Sequence, residues 1–412
     1  MGTSQSLHYE STGSVTLSIS AADVTNNRSD HVASPLETFE TWYAGYHGFV
    51  SLVVCTFGII SNMFNIAVLT RKGMRTPTNL ILTGLAVADM LTMMSYVPFA
   101  FHFRILHNTS PTITPERDSY GWIAFLLFHA NFAVTTHTAS IFVGVVLAVF
   151  RYAYIRASSS GYVTFGMEKA FFSVMFAYAL SVVFLIPNYL AQSIVQETDR
   201  VTNKTYFRLD GSLSEELFPN INQINFWIHA IAIKITPCIF MTVFGGLLLH
   251  TIRQTTAKGR EMQRFGSNRS QALKSRLREH SRTTRMLVVV IILFLFTEFP
   301  QGVLALLSGV HTEYFESVYS PLGDLMDIVA LINNSINFIL YCSMSKSFRQ
   351  AFLCLICSGV KKWRNTSVME NSREEDCTCN QYTQLEMRNR ISNNYRRVDR
   401  TTKGTCLNGS VS

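Results

Sequence analysis

"MLVVVIILFLFTEFPQGVLALLSG", residues 286 to 309, decides the architecture. It is apolar for long enough to cross a bilayer core, which takes about 20 residues of helix, yet it contains a carboxylate, Glu298, and a helix breaker, Pro300. An ionised group in hydrocarbon costs roughly 2.5 to 3.5 kcal/mol on insertion scales, so it faces the interior of a bundle and marks function. The stretch therefore reads as a membrane helix whose polar residues face other helices.

The same pattern recurs outward from it. Of the 412 residues, 48% are hydrophobic and 15% charged, and mean hydropathy is positive, a balance of the membrane class. Apolar runs fall at roughly 44 to 70, 78 to 105, 122 to 150, 169 to 192, 225 to 252, 284 to 309 and 320 to 342, each near spanning length. The net charge of +8 gathers in alternate connections: Arg71, Lys72 and Arg75, then Arg151, Arg156 and Lys169, then the cations from Arg253 to Arg282. The other connections, "LHNTSPTITPERDSYG" and "GVHTEYFESVYS", carry acids. Positive connections stay inside, which puts the N-terminus outside and the C-terminus in the cytoplasm, as expected of a multi-pass plasma-membrane protein. The cations sit beside spans without interleaved aromatics, so nucleic acid is not a partner. No apolar stretch opens the chain, and the first span is expected to act as its own insertion signal.

The expected fold is an all-α membrane protein, a seven-transmembrane helix bundle with a short amphipathic cytoplasmic helix. Residues 1–43 read as a disordered extracellular tail rich in Ser, Thr and Asn, 44–345 as the bundle, 346–358 as the amphipathic helix and 359–412 as a disordered cytoplasmic tail. Asn27, Asn108 and Asn203 each open an N-x-Ser/Thr acceptor on the outer side. In "SKSFRQAFLCLICSG", Phe348, Phe352 and Ile356 recur at i, i+4, a face expected along the inner leaflet of membrane lipid. Cys354 and Cys357 on that helix are palmitoylation candidates; the alternative is two small buried thiols. None of the eight cysteines falls in an outer loop, so no disulfide is expected there. Within the expected spans lie Asp89, His129, His137, Lys234, Glu298 and Asp327.

Asn62 in "GIISNMFNIAVL", Asp89 in "LAVADML", Arg151 and Tyr152 in "AVFRYAYI", Pro237 in "KITPCIF", Phe294 and Pro300 in "FLFTEFP" and "NFILY" at 337 to 341 follow one another, one signature per span except the fourth. That order resembles the rhodopsin-like G-protein-coupled receptors over about 300 residues, essentially the whole expected membrane domain. "RTTRMLVVVIILFLFTEFPQGVLALLSG" is similar to invertebrate receptors for myosuppressin and FMRFamide-like neuropeptides, where most relatives carry Cys-Trp-x-Pro. Receptors for myoinhibitory or sex peptides share much of this. Phe150 stands in place of the usual acid before Arg151, Phe338 in place of the usual Pro, Leu126 in place of the usual tethering cysteine, and the fourth span lacks its common Trp. The missing acid removes a restraint on the inactive state, from which raised basal activity is expected.

The resemblance implies an amidated, Arg-Phe-type peptide ligand, a heterotrimeric G protein of the Gi/o class, and arrestin docking on the Ser/Thr-rich tail. It implies no cofactor beyond an allosteric sodium ion at Asp89, Ser140, Asn333 and Asn337, near Asn62. It also implies a packing switch of Ile141, Pro237 and Phe294 with a hinge at Pro300, and G-protein contacts at Arg151, Tyr152 and Tyr341. Asp327 and Asp324, with His129, His137 and Glu298, are the expected ligand-binding residues, and the acids Glu215, Glu216, Glu313 and Glu316 lie in nearby loops. His137 and Glu298 are expected to form a latch at the pocket floor, the alternative being a static bond between two helices. An intramembrane enzyme or transporter has less support, since no nucleophile–base or metal motif and no internal repeat is visible. A chemosensory receptor for a small ligand shares the fold and stays open.

Overall fold

Ser34 accepts a hydrogen bond from the Glu37 amide while the Glu37 carboxylate accepts one from the Ser34 amide, and Pro35 sits just inside the helix start. This capping box satisfies two of the orphan amides that every helix start leaves, and it begins α1 (Pro35–Leu69) nine residues before the expected boundary of 44. Thr76 caps α2 by accepting from the Asn79 amide, with Pro77 at the first helical position but no reciprocal bond. The computed structural model describes residues 34–107, 114–160, 166–198, 203–264, 270–310 and 314–367, with paired strands at Ser6–Glu10 and Ser14–Ser18.

Among the described residues, seven helices are long and apolar enough to cross a membrane. After α1 come α2 (Pro77–Phe99), α3 (Tyr120–Ser160) and α4 (Met167–Phe184), then α5 (helical from Ile221 and ending with Thr236–Arg264), α6 (Ser270–Val310), α7 (Gly323–Met344) and α8 (Lys346–Ser367). In lipid every backbone amide must bond within its own segment, which makes the helix the available solution. Side chains such as Val53, Phe172 and Phe296 stay exposed on the bundle exterior, where an apolar solvent suits them. α3 is central, packing on α2, α4, α5 and α6. The main core joins Ile81, Leu85, Ile141, Leu147, Phe294 and Tyr341.

Among the described residues, π-turns replace regular helix in three places, the third being Phe315–Tyr319 before α7, and two of them bear on the site. α2 continues into wider π-helical turns at Ala100–Leu106, just after Pro98, and α5 passes through π-turns at Ile228–Ile235, just before Pro237. A proline leaves the carbonyl four residues earlier unbonded, and π-turns accommodate such defects. α4 ends at Phe184 rather than near 192, because Pro187 favours a break at Leu185 and the start of a separate short helix, Ile186–Leu190.

β1 (Ser6–Glu10) pairs antiparallel with β2 (Ser14–Ser18), so the expected tail contains a hairpin. β3 (Ser193–Thr198) pairs with β4 (Thr205–Asp210) between α4 and α5. α8 is longer than the expected 346–358, and its apolar face is divided. Phe348 and Phe352 pack onto the bundle, while Leu353, Ile356 and Cys357 face outward and Cys354 is half-buried. The lipid-facing stripe is therefore shifted from the Phe348–Phe352–Ile356 line.

Candidate functional site

The acid in the opening stretch lies at the junction of four helices. Glu298, on α6, is fully buried. Lys234 Nζ of α5 donates to Glu298 Oε2 at 2.6 Å and to Gln301 Oε1 at 2.7 Å. His137 Nε2 of α3 lies 3.3 Å from Glu298 Oε1, and Gln301 Nε2 donates to the Met326 carbonyl of α7 at 3.0 Å. Gly302 makes the junction possible: a Cβ there would lie 2.9 Å from Ile235 Cδ1 and 3.1 Å from Lys234 Cβ, so only a bare backbone lets α5 come this close. His137 and Glu298 do meet, but the stronger partner of the acid is Lys234, which the sequence reading left unassigned. A lone buried carboxylate demands a cation, and Lys234, inside the fifth span, is the one that answers.

At the end of the bundle that carries the β3–β4 hairpin, α7 presents Asp324 and Asp327. Arg104, on the π-turns of α2, forks onto Asp324 at 2.9 and 3.4 Å. Asp324 was expected to receive a ligand cation; its charge is instead matched by the protein's own guanidinium, a fork geometry that suits a carboxylate. Gly48 of α1 permits this, since a Cβ there would meet the Arg104 carbonyl at 2.8 Å. Asp327 is buried one turn further along α7. His47 of α1 bonds to Tyr96 at 2.9 Å and Ser51 at 3.2 Å. His129 is enclosed between the stacked rings of Phe99 and Phe125, with Tyr96 edge-on, and among the described residues neither nitrogen has a hydrogen bond. Arg104, His47 and Gln301 were missed from sequence; Arg104 alone had a plain signal, a cation inside the second span. Glu215 and Glu216 are exposed, while Glu313 lies outside the described residues.

The β3–β4 hairpin is held over this end without a disulfide. The Phe207 amide donates to the Asp118 carbonyl at 2.9 Å, and the Phe207 ring meets Tyr120 edge-on at 5.4 Å, just where α3 begins. Within the hairpin Glu197 accepts from Tyr206 and from Arg208, both at 2.6 Å, which holds its carboxyl below the usual carboxylate range. Burial raises that of Asp118. Asn203 sits exposed in the hairpin turn with a left-handed φ of 53°, which asparagine tolerates. Asn27 and Asn108 lie outside the described residues.

Midway through the bundle, Asp89 of α2 accepts from Ser140 Oγ at 2.6 Å and from Asn337 Nδ2 at 3.0 Å. Asn333 is buried one turn before Asn337. Asn62 does not join them; it donates to the carbonyls of Gly58 and Asn334, tying α1 to α7. Asp89 and Ser140 offer the hard oxygens that sodium favours, so the set fits the ion. Asn337 turns its amide nitrogen to the carboxylate.

Ile141 and Phe294 are buried in the main core and Pro237 is buried as well, and Phe294 of α6 and Met241 of α5 both approach Gly144 of α3. Pro300 faces outward. At the α8 end Arg151 is buried, and among the described residues no carboxylate pairs with it. The Tyr152 hydroxyl accepts from Arg156, and its ring lies 5.9 Å from Phe244. Tyr341 is buried edge-on to Phe348. Phe338, in the place of a proline, packs against Phe64, Phe348 and Phe352, fastening α7 to α1 and α8.

Seven membrane-length helices around buried polar junctions, with an eighth helix across one end, define a seven-helix receptor. The chain belongs to the G-protein-coupled receptors of the family described as "Serpentine type 7TM GPCR chemoreceptor Srw", which it matches over residues 49–359. It is 31% identical over 353 residues to the G-protein coupled receptor dmsr-1 of Caenorhabditis elegans, covering 76% of this chain and 68% of that one. To the sex peptide receptor of Drosophila melanogaster it is 26% identical, covering 77% and 73%. To the FMRFamide receptor of the same fly it is 23% identical, covering 74% and 52%. Squid rhodopsin shares the fold, with a TM-score of 0.56 at 16% identity over 85% of this chain and 95% of that one. The protein is a multi-pass membrane receptor and not an enzyme.

Proposed function

We propose that this receptor binds an amidated neuropeptide of the myosuppressin or FMRFamide-like, Arg-Phe-amide type. It does so at the hairpin end of the bundle, which faces outward from the plasma membrane, and it signals through a Gi/o-class G protein. The observation that supports the reading is the acid pair Asp324 and Asp327 beneath the hairpin, the first half-buried and the second buried one turn deeper. An arginine of the peptide then meets Asp327, and its amidated end reaches the Lys234–Glu298–His137 junction. Relatives named for sex peptide and FMRFamide support a peptide over a small ligand; the chemoreceptor description of the family favours the second reading, a small chemosensory ligand.

Exchange of the four-way junction moves α6 about Pro300, and the far ends of α5 and α6 part so that Arg151, Tyr152 and Tyr341 meet the G protein. Sodium at Asp89 and Ser140, with Asn333 and Asn337, holds the resting state. Arrestin binds the Ser/Thr-rich tail, which lies beyond the described residues, and Cys354 and Cys357 are acylated against the inner leaflet. Asn27, Asn108 and Asn203 carry glycans.

The test is nucleotide exchange on Gi/o in membranes holding the full chain, across amidated Arg-Phe peptides and their free acids. Amidated forms should activate, free acids should not, and Asp327→Asn should lower potency about tenfold or more, the loss of one charge-assisted pair. Activation by small volatiles or nutrients alone would favour the second reading. Glu298→Gln and His137→Ala should each change basal or maximal signalling, with the double variant departing from additivity.

A further inference from the structure

Beneath the hairpin a run of side-chain amides crosses from α3 to α5, and its direction is fixed. Asn131 Nδ2 donates to the Leu127 carbonyl at 3.0 Å, and its Oδ1 accepts from Asn188 Nδ2 at 2.8 Å. Asn188, on the short helix Ile186–Leu190, accepts in turn from Asn225 Nδ2 of α5 at 3.1 Å. The Leu127 carbonyl can only accept, so Asn131 must show it a nitrogen, and the orientation of each following amide is set in sequence. The far end of the run is therefore an acceptor. Asn225 Oδ1, on a residue 2% exposed, has no hydrogen-bond partner among the described residues. One turn further along α5, His229 is 7% exposed and its Nε2 is likewise unmet. Buried polar atoms are nearly always bonded, so two unmet ones one turn apart mark a place that another group completes.

We infer that Asn225 and His229 form a subsite that reads a primary carboxamide on the ligand, and so tell an amidated peptide from its free acid. The inference rests on the peptide reading above and names the residues behind its preference. The π-turns that follow His229 close bonds from i to i+5, which brings Lys234 round to the same side of α5. A carboxamide offers two N–H donors and one carbonyl. Asn225 Oδ1 takes one N–H, and Nε2 of neutral His229, its proton on Nδ1, takes the other. The carbonyl accepts the third N–H of the Lys234 ammonium, whose other two serve Glu298 and Gln301. A carboxylate would set oxygens against two acceptors and find the Lys234 charge already matched by Glu298. An ester is neutral but has no N–H to give. The subsite thus lies along α5 between the amide run and the four-helix junction.

The experiment uses the full chain in membranes and the peptide Phe-Met-Arg-Phe as its carboxamide and its methyl ester. In the parent the amide should lead the ester about tenfold in Gi/o nucleotide exchange, the worth of a hydrogen bond or two. His229→Leu and Asn225→Leu should each erase most of that lead by weakening the amide alone, whereas His229→Gln, which restores an acceptor, should keep it. The His229 variants leave the amide run intact, so they decide the matter even where Asn225→Leu fails to fold. Asp327→Asn should weaken amide and ester together and preserve the lead, which separates this subsite from the arginine contact. A second arm needs no activation: saturation-transfer NMR of N-acetylphenylalaninamide and N-acetylphenylalanine methyl ester on the receptor in nanodiscs. The amide fragment should give the stronger signal in the parent and lose it in His229→Leu. If neither peptide activates while the fragments behave so, the peptide reading falls and the subsite stands. Four results would each overturn the subsite: equal potency of amide and ester, which would mean water alone at both atoms; a lead that survives both leucine variants; a lead lost in His229→Gln; or equal fragment signals in the parent.

Discussion

Two ion pairs organise this receptor, and they differ in kind. Arg104 and Asp324 join α2 to α7 near the hairpin, with side chains 17% and 11% exposed. Lys234 and Glu298 join α5 to α6 deeper in the bundle, at 11% and 1%. Both cations ride on π-helical turns beside a proline. Arginine presents a planar fork that fixes two oxygens at once, while lysine is a point charge on a flexible stem, and here it divides itself between Glu298 and Gln301. The first pair therefore defines a geometry, and the second leaves room for exchange.

The comparison is broken most severely by removing one partner of the deeper pair. Lys234→Met leaves Glu298 with His137 alone and should cost about 3 to 5 kcal/mol, the penalty of an uncompensated buried charge. It should be read as a lower thermal midpoint of the purified receptor. Adding Glu298→Leu should recover most of the loss, since an apolar pair needs no neutralisation; an unchanged midpoint in the single variant would remove the pair from the account. Gly302→Ala should come next at about 2 kcal/mol, because its methyl overpacks against Ile235 and Lys234. Gly121→Ala is the control, with open space around its Cβ.

Arg104→Lys keeps the charge but loses the fork, and should cost about 1.5 kcal/mol. If it costs nothing, the shallower pair is no more geometric than the deeper one. The smallest effect is expected at the hairpin, where Phe207→Ala removes one aromatic contact worth about 1 kcal/mol, read as faster ligand dissociation. Acid loosens the same hairpin. Tyr206 and Arg208 hold the Glu197 carboxyl below its unfolded value, so its contribution is complete above the ordinary carboxylate range and is lost as pH falls through the folded value. Protection factors at the β3 and β4 amides, that is, exchange rates corrected for the intrinsic pH dependence of amide exchange, should fall on acidification, and less so in Glu197→Gln.

How much of this was legible depends on distance along the chain. The seven spans read directly because hydropathy is a local property summed over about 20 residues. The meeting of His137 with Glu298, and of Asp89 with Ser140 and Asn337, followed from ordered signatures on neighbouring spans. Lys234 as partner of Glu298 did not follow, because π-turns shift the helical register and no local pattern announces them. Arg104 was hidden for the same reason, and its clamp on Asp324 changed the expected role of that acid. The divided face of α8 was invisible because Phe338, which replaces a proline, creates the aromatic nest that takes up Phe348 and Phe352.

The hold on the β3–β4 hairpin has one further consequence. A covalent tether is present or absent, whereas this one is the sum of a main-chain hydrogen bond, a ring contact and a charged strand pair, the last two each alterable by a single codon. The hold can therefore be strengthened or relaxed in small steps, and at this loop the chain asks nothing of the cell's thiol-oxidising machinery as it matures.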